Sequence, residues 1–214
     1  MNEIPLISTP ISEPWTAWIL LALLLCFILA IGHTPGAVKE AVRDIFSKLE
    51  RNYNESGQDT FSLMLFQIFR VGVVAMIVYL FCFRGGEFSL HTYGKIVGAV
   101  TGMEIIRLAL FTMIHFAFRF QQTLQTFLRH YLNIWLLMSI LLYVLCLFMV
   151  NYTIDTLWIG IIIAAIAIYV TILVWKMISM APFRMRHLIY ILLYLLLMEA
   201  IPFGILWHIA KLIE

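Results

Sequence analysis

Charge is what this 214-residue chain has least of: 12% of its residues are Asp, Glu, Lys or Arg, against 63% that are hydrophobic. A soluble domain of this length needs a polar shell that such a composition does not supply. Cysteine is sparse too. Cys26, Cys82 and Cys146 fall in separate apolar stretches without the close spacing of a zinc or redox pair, so they read as small packing residues. The first fourteen residues, MNEIPLISTPISEP, contain Glu3 and Glu13 but no Lys or Arg, the reverse of the positive start of a cleaved signal peptide. Enzyme signatures are missing as well. There is no HExxH, no GxSxG, no phosphate-binding glycine loop and no paired Asp motif of a membrane protease. No catalytic residue, metal or cofactor is therefore expected, and the chain reads as a non-enzyme. A net charge of +2, with the basic residues distributed over short loops, argues against nucleic acid as a partner.

Long apolar runs are abundant. A spanning helix needs about 20 mostly apolar residues, and six stretches qualify, approximately 15–32, 63–83, 94–117, 132–150, 157–178 and 188–209. The expected fold class is all-α: a polytopic transmembrane helix bundle forming one integral membrane domain over residues 1–214. Ahead of the first span, SEPW looks like a helix entry, with Ser12 as cap, Glu13 in the first turn and Pro14 near the first helical position. That segment is expected to be a retained anchor.

Basic residues orient the bundle. Lys39, Arg43, Lys48, Arg51, Arg119, Arg129, Lys176, Arg184 and Arg186 would share one side, and Arg84, Lys95 and Lys211 the other. Nine against three places the first set in the cytoplasm and both termini in the periplasm. The 1–2 connection is the only long one. It opens on a Pro-Gly turn and continues with Val38, Ala41, Val42, Ile45, Phe46 and Leu49 at helical spacing. A helix over about 37–51 is expected, with Lys39, Arg43, Lys48 and Arg51 near anionic headgroups of the bilayer surface; packing against cytoplasmic loops is the alternative. The six histidines mostly mark span ends, where interfacial anchoring is ordinary, and Asn133 reads the same way.

Arg70, Glu104, Arg107 and Glu199 are the charges inside the spans. An unpaired charge there costs at least ~2.5–3.5 kcal/mol, so the two acids are expected to face the two bases. Glu104 and Arg107 are three apart and share a helical face. The opposite side of that helix carries Gly94, Gly98 and Gly102, a spacing that admits another backbone. Span three is therefore expected at the centre of the bundle. In the last span, Pro202 has no N–H to offer the carbonyl of Met198, which leaves a free oxygen next to Glu199. Such a notch suits an interhelical clamp or a proton or ion path, and the residues alone leave both open.

The C-terminal run FRMRHLIYILLYLLLMEAIPFGILWHIAKL resembles the closing signature of domain-of-unknown-function family 4271, uncharacterised inner-membrane proteins of the Bacteroidota. The likeness falls on His187, Leu193, Tyr194, Glu199, Pro202 and Lys211, with the early EPW and the basic linker after span one adding to it. Span four departs from the family, with NIWLLMSILLYVLCLF where a Gly and a Pro are usual. The resemblance implies a bacterial inner membrane and no known catalytic activity. The resulting expectation is a partner or assembly subunit of a cell-envelope complex, associated with the bilayer and with a membrane-protein partner or a second copy. The alternative is a small proton- or ion-coupled transporter using Glu199.

Overall fold

In the computed structural model the described residues are 14–46, 60–82, 89–118, 121–151, 156–180 and Gly204. They form six helices: α1 (Pro14–His33), α2 (Ala37–Phe46), α3 (Thr60–Cys82), α4 (Leu90–Phe118), α5 (Gln121–Asn151) and α6 (Thr156–Met180), with no strand among the described residues. Pro14 opens α1, where its missing N–H costs nothing. The expected Pro-Gly turn joins α1 to α2. Thr34 donates its N–H to the Ala30 carbonyl, and Ala37 N–H then donates to Thr34 O across Pro35 and Gly36. Gly36 takes φ 111°, the left-handed position that a turn of this kind requires after proline.

Among the described residues three stretches are long and apolar enough to cross a membrane, Trp15–His33, Phe61–Phe81 and His130–Asn151, with Gly160–Lys176 a shorter apolar helix. The main departure from the apolar windows is α5. It begins eleven residues before the expected span and runs for 31 residues, about 46 Å at 1.5 Å per residue. A hydropathy window finds where lipid would be tolerated. The helix itself continues through Gln121, Gln122, Gln125 and Arg129, because Gln, Leu and Arg are good helix formers in any solvent. The expected sixth span at 188–209 lies outside the described residues.

Among the described residues packing centres on α3 and not on span three (α4), which was expected in the middle; the expected last span is not among the helices compared. α3 lies against α1, α4 and α5, and α5 in turn lies against α2 and α6. Phe69, Val73, Met76, Tyr79 and Leu80 on α3 are almost fully enclosed by Leu20 and Leu23 of α1, Tyr93, Ile96 and Val100 of α4, and Tyr143, Cys146 and Met149 of α5. Gly72 explains the close approach of α1. A Cβ there would meet the end of the Leu23 side chain, which would have to move, so glycine eases the approach of the two helices at this depth. Polar tips tie the same helices: Tyr93 Oη donates to Gly72 O at 3.2 Å and Tyr143 Oη donates to Leu20 O at 3.0 Å. A second core joins α5 to α6 through Ile134, Trp135 and Met138 against Ala165, Tyr169 and Leu173.

Candidate functional site

Apolar helices make any buried charge expensive, and three of the four expected charges meet between α3 and α4. Arg70, Glu104 and Arg107 are 6%, 6% and 3% exposed. Arg107 Nη1 donates to Glu104 Oε1 at 2.9 Å, within one helix, and Arg70 Nη2 on α3 donates to Glu104 Oε2. Each carboxylate oxygen thus has its own guanidinium. Trp135 on α5 lies between the two bases, its ring 5.3 Å from Arg70 Cζ and 5.4 Å from Arg107 Cζ. Tyr131, one turn earlier, offers its ring to Arg107 at 5.9 Å. An indole face attracts cations more strongly where water is excluded. The result is a fixed polar joint in which three helices share two positive charges and one negative.

Glu199 and Pro202, the other members of the expected cluster, lie outside the described residues, as do Lys48 and Arg51. Gly94, Gly98 and Gly102 occupy the outward side of α4, opposite Glu104 and Arg107. Among the described residues nothing comes within 4 Å of a Cβ placed on any of them. The backbone expected to use this spacing is not one of the described helices.

A second polar cluster was not anticipated. On α2 the buried residues are Ala37, Ala41 and Asp44, at i, i+4 and i+7, while Lys39, Val42 and Arg43 are exposed. This face packs on α5, with Ile45 against the α5–α6 core. The helix expected on the bilayer surface thus packs on α5 through Ala37, Ala41 and Asp44, on a helix and not on the loops of the alternative reading, while Val42 of its apolar side faces outward with Lys39 and Arg43. Asp44 is the fastening point. His130 Nδ1 and Asn133 Nδ2 of α5 bond to Asp44 Oδ2, the second at 3.0 Å, and Lys176 Nζ of α6 donates to the Asp44 backbone carbonyl. Burial pushes the Asp44 carboxyl up, but the bonds from His130 and Asn133 and the charges of His130 and Lys176 outweigh it and hold the group below its ordinary value.

Sequence reasoning passed over Asp44, His130, Asn133, Lys176 and Trp135 because each is ordinary where it stands. His, Asn and Lys are common at span ends, and Trp is common throughout this chain. One signal was readable: Asp44 falls on the same helical side as Ala37, Ala41 and Ile45. An acid on the apolar side of an amphipathic helix needs a partner.

Among the described residues no group of three or more His, Cys, Asp or Glu is placed to hold a metal ion. Across the chain, the family model described as "Domain of unknown function (DUF4271)" matches residues 16–210. The chain belongs to the DUF4271 family. The match takes in all six described helices except the first two residues of α1, so both polar clusters are parts of the DUF4271 domain. No curated protein and no solved structure matches the chain.

Proposed function

We propose that this DUF4271 protein is a six-span integral protein of a bacterial inner membrane, with both termini in the periplasm. It serves without catalysis as a partner or assembly subunit of a cell-envelope complex. The observation that carries this reading is the saturation of Glu104: both of its oxygens are engaged by arginines from two helices, under an indole that also faces both bases. A carboxylate so held is suited to locking helices together, whereas a transported proton or cation needs an oxygen that becomes free in one state. The outward glycine side of α4 then remains for a partner helix, because small residues let backbones approach closely in lipid.

Affinity purification of the full chain from mild detergent tests the reading. A defined set of membrane proteins is expected to co-purify, and Gly98→Leu is expected to reduce their recovery without lowering the yield of the chain itself. Recovery of a monomer alone, together with proton or ion flux in proteoliposomes that Glu199→Gln abolishes, would replace it with the transporter.

A further inference from the structure

Between α3 and α5, beside the start of α2, lies a cavity of about 50 Å³. Its polar lining is Gln67, Arg70, Asn133, Trp135 and Ser139, and the rest is leucine, phenylalanine and alanine. Arg70 is the one charged side chain among the described residues that line it. Arg70 and Trp135 are each more than nine-tenths buried. Each also carries an N–H, Arg70 Nε and Trp135 Nε1, with no hydrogen-bond partner among the described residues. Both groups can only donate. A buried donor without an acceptor is costly, so a chain that keeps two of them beside one cavity has a reason to fill it with an acceptor.

Charge and size narrow that acceptor. Arg70 spends Nη2 on Glu104 and has Nε left for a second oxygen. Arg107 adds a second positive charge beside Trp135, and Glu104 offsets one of the two. The field at the cavity is therefore that of a cation. A water needs about 10–15 Å³ of such space, which makes the volume suitable for a few waters or one carboxylate with a short carbon chain. We propose that this cavity binds a small monocarboxylate, whose oxygens accept from Arg70 and Trp135 and whose carbon end meets the apolar wall. The same chemistry can arrive from two sources, a dissolved anion or the carboxylate end of a fatty acid from the bilayer. This binding is independent of the assembly role proposed above.

Thermal unfolding of the full chain in lipid nanodiscs, with sodium acetate, hexanoate or gluconate at matched ionic strength, tests it. Acetate is expected to raise the midpoint saturably, as a ligand of the folded state does, and gluconate, too large for the space, is expected to leave it unchanged. Hexanoate acting at a tenfold lower concentration than acetate supports the bilayer source; equal potency supports the dissolved one. Trp135→Phe keeps the ring but removes Nε1, and is expected to weaken the apparent affinity about tenfold. Gln67→Leu fills the space without touching the Arg–Glu pairs and gives the same readout if Trp135→Phe does not fold. No response to acetate, equal responses to acetate and gluconate, or an acetate response that survives both substitutions overturns the proposal.

Discussion

Glu104 and Asp44 are both buried acids held by bases, and their clusters meet α5 less than two turns apart, the arginines of Glu104 at Trp135 and Asp44 itself at His130 and Asn133. Their circumstances differ. Glu104 is inside an apolar helix and carries its first base three residues away on the same turn, so half of its neutralisation is local. Asp44 is on a short helix, and its partners among the described residues stand at least 86 positions away. The first centre must form for α3 and α4 to pack with Arg70, Glu104 and Arg107 buried between them. The second forms only once the bundle has brought α5 and α6 together, and what it decides is where α2 lies. One cluster is a condition of folding, and the other is a consequence of it.

Substitutions should separate the two. Glu104→Gln removes the carboxylate that Arg70 and Arg107 share among the described residues and is expected to cost about 3–5 kcal/mol. It should appear as a global loss of folded protein in detergent, measured by thermal unfolding and by yield. If Glu104→Gln unfolds no more easily than Asp44→Asn, the ranking of the two centres fails. Asp44→Asn removes a charge-assisted bond to His130 and should cost about 1.5–3 kcal/mol, but locally. Proteolysis at the α1–α2 turn is expected to accelerate while the global midpoint moves little.

Acid should imitate that substitution. The Asp44 carboxyl is held below its ordinary value of 3.8, so the folded state binds this proton less readily than the unfolded chain. The contribution of Asp44 is complete above about the ordinary value and disappears as pH falls through the depressed one. Accelerated cleavage at the turn is expected only in that acidic range, and Asp44→Asn should remove the dependence. Cleavage that rises equally with acid in both proteins would detach α2 docking from this carboxyl.

Trp135 touches both arginines, and a smaller effect is expected there. Trp135→Leu should lose about 0.5–2 kcal/mol of cation–π attraction, with a lower unfolding midpoint and no change at α2. The smallest change in stability, within about 0.5 kcal/mol, is expected for Lys39→Gln with Arg43→Gln on the outward side of α2. If these two bases contact headgroups, that double variant should still bind anionic vesicles less well, by about 1 kcal/mol per base. Co-sedimentation checks this, and an undiminished association would leave α2 fastened to protein alone.

The in-span centre was readable because an ionisable side chain in a hydrophobic run is costly, whatever surrounds it. Arg70, Glu104 and Arg107 stand out on composition alone, and the spacing of the last two already pairs them. Trp135 could not be read in the same way. Its role depends on α5 lying against α3 at one particular rotation, and nothing local specifies that rotation. The reversal of centre between α3 and α4 has a similar origin. Three glycines on α4 advertise a close approach, but the approach that brings the described helices together uses the single Gly72 on α3, where Leu23 fills the space a side chain would take.

By itself the sequence determined the all-helical class, the apolar stretches, the Pro-Gly turn after α1, and the need for Arg70, Glu104 and Arg107 to find opposite charges. These follow from solvation and backbone chemistry, which act residue by residue. Tertiary structure decided that α3 takes the middle, that an indole lies between the two guanidinium groups, and that Asp44 fastens α2 to α5 and α6. Those outcomes depend on which helices become neighbours and at what rotation, and neighbours distant in sequence are chosen by packing of the whole bundle.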